Sequence, residues 1–233
     1  GTVRWARRDD GWRIDSPALD MRLGGSEVGG ELGLTLHDGQ VPDLDLRLDL
    51  RSQDAAALKP YMPKTWGVNT RAWLTRALKE ARVTSGELTI HAPMTPRDAD
   101  NHTTIPWQLR LNVTGAALEF ARDWPVAENL TAQLDFHDGG LDIAASDGTV
   151  SGARIERLRA DIANFFEADL KLDGRIAGDA ADFYRLFRDS PLRTRLAGLL
   201  ARTEASGPAS AELSLRVPLH IPQPPVEASG TVD

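Results

Sequence analysis

One run constrains this chain more than any other. Asp43-Leu-Asp-Leu-Arg-Leu-Asp-Leu50 alternates charged and leucine residues for eight positions. Successive side chains of a strand point to opposite faces, so the run has a wet face and a dry face. A helix would spread the same leucines around its circumference. The pattern recurs in Leu32-Gly-Leu34-Thr-Leu36, Leu109-Arg-Leu111-Asn-Val113, Leu134-Asp-Phe136, Leu141-Asp-Ile143 and Leu170-Lys-Leu172. Between such runs lie short Asp-Gly connections: His37-Asp38-Gly39-Gln40, His137-Asp138-Gly139-Gly140 and Ser146-Asp147-Gly148. These are hairpin signals. The fold class is mainly β with short α-helices, the strands forming a long antiparallel meander.

A few segments break the period of two. Thr70 is placed to cap a helix over 71–81, with Trp73, Leu74, Ala77, Leu78 and Ala81 on one face. Asp179 is placed to cap 180–188, which gathers Phe183, Leu186 and Phe187. Ser190-Pro191 opens a helix over 191–201 carrying Leu192, Leu196, Leu199 and Leu200 on one side. Asp54 caps a short turn, 55–59, stopped by Pro60. Amphipathic helices of this length normally bury their apolar face in their own protein, here against the sheet.

The chain repeats itself. Asp45-Leu-Arg-Leu-Asp-Leu-Arg51 resembles Asp169-Leu-Lys-Leu-Asp-Gly-Arg175, 124 residues on. Asp54-Ala-Ala56 matches Asp179-Ala-Ala181 at an offset of 125. The same offset pairs Glu87-Leu-Thr-Ile-His-Ala-Pro-Met94 with Glu212-Leu-Ser-Leu-Arg-Val-Pro-Leu219. Three anchors in one order imply a unit of strands followed by a helical crossover, stacked as an array. The expected organisation is 1–82 as the end of one unit with its helices, 83–207 as a second unit with its own, and 208–233 as the start of a third. The opening Gly1-Thr2-Val3 and the strand-like close Ser229-Gly230-Thr231-Val232-Asp233 suggest a piece of something longer.

Composition removes several functions. A net charge of -7 argues against a general grip on nucleic acid. The absence of cysteine excludes disulfides and thiolate chemistry. The histidines His37, His91, His102, His137 and His220 include no His-x-x-x-His pair, and no Gly-x-Ser-x-Gly elbow or phosphate loop occurs. No catalytic residue, metal site or cofactor is expected. Asp43, Asp45 and Asp49 are the best available carboxylate set for a glycosidase, but they alternate with leucines on an outer strand face. Six tryptophans stand against two tyrosines. Trp5, Trp12, Trp107 and Trp124 fall at strand-like positions, and Trp66 and Trp73 fall near a helix. Such residues pack first and bind sugars or lipid interfaces second.

A family pattern runs through 58–220. It comprises Tyr61-Met62-Pro63, Trp73-Leu74 with Ala77-Leu78, Phe120 with Trp124-Pro125, and Asn129-Leu130-x-Ala132-x-Leu134-x-Phe136. It continues through Gly148, Gly152, Leu170-x-Leu172-x-Gly174, Ser190-Pro191-Leu192, Gly207, and Leu213-x-Leu215-x-Val217-Pro218-Leu219. In this order the motifs resemble the YhdP type of the AsmA-like family, which is related to TamB and found in the Gram-negative envelope. The segment Pro93–Pro106 is more polar than that pattern and reads as a loop.

The resemblance implies a bridge-like lipid transport protein. Its extended curved antiparallel sheet would be a U-shaped repeating β-groove, with amphipathic helices at the crossovers. It implies a periplasmic location, as part of an inner-membrane-anchored protein, and phospholipid acyl chains as cargo between inner and outer membranes. The residues then expected to line the groove are Leu32, Leu34, Leu36, Leu44, Leu46, Leu48, Leu50, Leu109, Leu111, Val113, Leu134, Phe136, Leu141, Ile143, Leu170 and Leu172. Which face is concave is open from alternation alone. Two other readings stand beside it. One is an envelope scaffold binding another protein through sheet edges and helices. The other is a carbohydrate-acting β-sandwich enzyme using Asp43, Asp45 and Asp49. Exposed sheet edges also allow edge-to-edge self-association.

Overall fold

The computed structural model describes residues 1–23, 26–62, 66–93, 106–137, 139–166, 169–200, 206–219 and 224–233. Its strands are β1 (Thr2–Arg8), β2 (Gly11–Leu23), β3 (Ser26–His37), β4 (Asp43–Leu50), β5 (Gln53–Asp54), β6 (Leu78–Pro93), β7 (Trp107–Leu118), β8 (Ala127–His137), β9 (Gly140–Val150), β10 (Ala153–Ile162), β11 (Asp169–Asp179), β12 (Pro208–Pro218) and β13 (Glu227–Val232). All thirteen belong to one antiparallel sheet, in chain order, with two-residue β5 set off the main path against β6. The sheet does not close: β1 and β13 are its free edges. Bulges in β2, β6, β7 and β9 increase local twist and bend the sheet.

Register keeps every strand's dry face on one side. A single cross-strand row runs from β2 to β13: Met21, Val28, Leu50, Gly86, Leu111, Leu134, Ile143, Ala160, Leu172, Leu215 and Ala228. The row beside it on the opposite face is Asp49, Glu87, Arg110, Asp135, Asp142, Asp161, Lys171, Arg216 and Glu227. Ion pairs knit that polar face, including Arg47–Glu87 at 2.5 Å, Arg175–Glu156 at 3.1 Å and Arg216–Asp169 at 2.6 Å. Exposed pairs contribute about 0–1 kcal/mol each, so they mark register more than they hold the sheet.

Among the described residues, four helical segments interrupt the meander. A 3-10 helix (Ala55–Tyr61) is capped by Asp54, whose carboxylate accepts from the Ala56 N–H, and it continues through Pro60 to Tyr61. The first α-helix, α1 (Val68–Ala77), starts before the expected position, with Gly67 at its N-cap. Thr70 does not cap it, because its hydroxyl is used elsewhere, donating to the Phe165 carbonyl at 2.8 Å. Leu78 and Ala81 belong to β6 rather than the helix. The second, α2 (Ala180–Arg188), carries the expected Asp179 cap, closed as a box by Asp182. The third, α3 (Arg193–Leu200), follows Ser190, whose hydroxyl accepts from the Leu192 N–H. The side chains of Leu199 and Leu200 lie outside the described residues.

Two local expectations are corrected. Ser146-Asp147-Gly148 is not a hairpin turn but lies inside β9. Gly148 takes φ +135° there while the β8–β9 register shifts, and the actual turn is Ser151-Gly152. An Asp-Gly pair serves a bulge and a turn through the same left-handed backbone tolerance. Trp124 sits in the β7–β8 connection rather than on a strand. The Pro93–Pro106 loop expectation falls largely on residues outside those described.

Gln53 is the weak point of this packing. It is 5% exposed, pairs with Val83 in the ladder, and neither amide atom has a hydrogen-bond partner. An unsatisfied buried polar group costs about 1–3 kcal/mol. Gln53→Leu, similar in size and apolar, is expected to raise stability by about 1–2 kcal/mol in urea denaturation.

Candidate functional site

The candidate site is the apolar face. All sixteen residues expected to line a groove belong to it by register, but the structure treats the two halves of the sheet differently. Over β6–β12 the face is covered. Trp66, just ahead of α1, stacks on Phe136 at 5.4 Å and 7° and on Trp107 at 6.1 Å, and meets Phe165 at 4.6 Å. Trp73 of α1 donates its indole N–H to the Phe120 carbonyl at 2.8 Å. The segment is thereby tied to the β10–β11 connection at one end and to the β7–β8 connection at the other. Burying an aromatic of this size contributes about 3–5 kcal/mol against truncation to alanine. Beneath this cover Leu111, Val113, Phe136, Leu141, Leu170 and Leu172 are all under 9% exposed. Leu109, Leu134 and Ile143 are half-buried and pack against the same cluster.

Over β1–β4 the face is different. The main core cluster begins at Ala55 and includes no residue of these strands among those described. Leu32, Leu34, Leu36, Leu44, Leu46 and Leu48 are half-buried, screened by one another and by cross-strand neighbours. Leu50 and Val28 are buried at the junction with the covered half. Toward the β1 edge, Trp5 is 70% exposed and Trp12 43%. The result is an apolar ledge, continuous with a closed core on one side and reaching solvent on the other. Sequence alternation finds the face. The cover was not legible because Trp66 meets partners 41 to 99 residues away.

A shallow depression of about 330 Å³ is lined by residues including Gln133, Asp135, Asp142, Arg159, Asp161 and Asp173. Among the described residues no group of three His, Asp or Glu side chains is arranged to hold a metal ion. Asp43, Asp45 and Asp49 do not converge in a cleft. Asp43 bonds His37, Asp45 pairs with Arg13 and His91, and Asp49 faces Arg47 at 3.8 Å. His137 bonds Asp142 at 2.8 Å. His102 and His220 lie outside the described residues.

His37 ties two turns together. Its ring meets Asp10 at 3.0 Å through Nδ1 and Asp43 at 3.1 Å through Nε2. The hydrogen bond to Asp10, then that to Asp43, raises the His37 pKa above its ordinary 6.5. The same bond from His37 holds the Asp10 carboxyl below its ordinary 3.8. The linkage signs follow. The histidine's contribution is fully present below about pH 6.5 and is lost as pH rises through the raised value. The aspartate's is lost only as pH falls through its lowered value. Thermal melts of His37→Gln are therefore expected to lose the part of the pH dependence that the native chain shows between about pH 6 and 8.

Among the described residues no helix is long and apolar enough to cross a membrane. Comparison with known proteins fits the geometry. The family model described as YhdP protein matches residues 1–233. Among curated proteins, the intermembrane phospholipid transporter YhdP of Escherichia coli (strain K12) is 22% identical over 220 residues, 94% of this chain. The chain spans 17% of that relative's length. No solved structure gives a significant match. The chain belongs to the YhdP family.

Proposed function

We propose that this member of the YhdP family is one stretch of a longer periplasmic conduit whose apolar sheet face carries phospholipid acyl chains between the inner and outer membranes. The observation that carries the reading is the single dry face running unbroken across the sheet, left uncovered over β1–β4. The related Escherichia coli protein is an intermembrane phospholipid transporter, which suggests the cargo. The chemistry needs no catalytic residue. Each buried CH₂ contributes about 0.8 kcal/mol, so a chain is held by area and slides without breaking directed bonds. Head groups stay at the rim, in water.

The array follows from the same elements. β4, the 3-10 helix, α1 and β6 recur in order as β11, α2, α3 and β12. This order, with the sequence offset, supports units divided near residues 82 and 207. Strands add at about 4.8 Å each, so the four strands of the open ledge, β1–β4, supply about 20 Å of apolar path. An anchor at the inner membrane would belong to other parts of the full-length protein.

Leu46 is half-buried on the ledge, and Thr35 lies on the opposite, polar face of β3. Native mass spectrometry with lipid extraction is expected to find phospholipid on the chain purified from bacteria. It should find several-fold less on Leu46→Arg and an unchanged amount on Thr35→Arg. A lipid-free native chain, or equal lipid on Leu46→Arg at matched melting temperature, would contradict the proposal.

A further inference from the structure

Charge is segregated strictly by register, with one exception. Among the paired residues, each Asp, Glu, Lys or Arg falls on the polar face except Arg7 of β1. Its cross-strand partner is Trp12, which pairs in turn with Leu36. Two residues back on the same face is Trp5, which pairs with Ile14. Arg7 is exposed, and it takes part in none of the ion pairs found among the described residues.

We infer that Arg7, framed by Trp5 and Trp12, is a binding site for the phosphate of a glycerophospholipid whose acyl chains lie on the β1–β4 ledge. This rests on the lipid-carrying reading above and adds a place for the head group. A cation on an apolar surface is costly if an apolar partner covers it without an anion. An arginine solves this geometry when its stem lies on the apolar surface and its fork reaches the rim. The planar fork matches a phosphate with two parallel hydrogen bonds. Tryptophan suits the level between acyl chain and head group, having an apolar body and one N–H donor. From Arg7 the dry face leads directly through Leu36 and Leu34 to Leu44 and Leu46, so phosphate and acyl chains are served by one continuous surface. The charge requirement selects an anionic lipid phosphate over an uncharged diacylglycerol of the same chain length.

The test uses the 233-residue chain and lipids with brominated acyl chains, read by quenching of tryptophan fluorescence. The native chain is expected to bind phosphatidylglycerol about tenfold more tightly than diacylglycerol, the worth of one charge-assisted hydrogen bond. Arg7→Gln should bring that ratio close to one, and Arg7→Lys should keep part of it. Because Arg7 is exposed, melting temperatures should match and separate binding from folding. An undiminished preference in Arg7→Gln would overturn the head-group site while leaving the lipid ledge standing. Binding of neither lipid by the native chain would overturn the ledge reading and this site with it.

Discussion

In a sheet of alternating strands, register and face are one variable. A slip of one residue in any pair would turn a strand's leucines into water and its charges onto the dry side. Here twelve strands hold the same parity from Trp5 to Ala228. The local departures are bulges, which add residues without inverting the face for the rest of the strand. Everything else depends on that parity. The hydrophobic term acts on one side only, and the charges on the other side penalise any misaligned pair.

A one-sided sheet must still decide what covers its dry side. Over β6–β12 the chain supplies the cover itself, through α1, through Trp66 with its ring contacts to Trp107, Phe136 and Phe165, and through Phe183 and Leu186 of α2. That half behaves as an ordinary core. Over β1–β4, among the described residues, no helical segment joins the core cluster, and the leucines from Leu32 to Leu48 are half-buried. The two states within one sheet explain how a protein can be stable and yet present apolar surface: the covered strands supply the stability that the uncovered strands do not.

Much of this was legible in the sequence, and what was not has identifiable causes. The run 43–50 announces its strand and both faces without help, and Asp179 announces its helix through a cap that the structure completes with Asp182. The start of α1 was misread because Thr70 looks like a cap, whereas its hydroxyl is claimed by a carbonyl 95 residues away. Gly148 was misread because a bulge and a turn ask the same of a glycine. All sixteen candidate groove residues fall on one face of the sheet, but alternation cannot tell an open strand from a covered one. That difference lies in the tertiary contacts of Trp66, and in the one misplaced charge, Arg7, whose meaning appears only when register is known.

The central claim is that acyl chains contact one face of β3 and not the other. The direct measurement is photocrosslinking in living bacteria, with a photoreactive amino acid placed in turn at Leu34 and at its neighbour Thr35 in the full-length protein. Phospholipid captured at Leu34 and absent at Thr35 is the predicted result. Equal capture at both positions, or none at Leu34, would contradict the account.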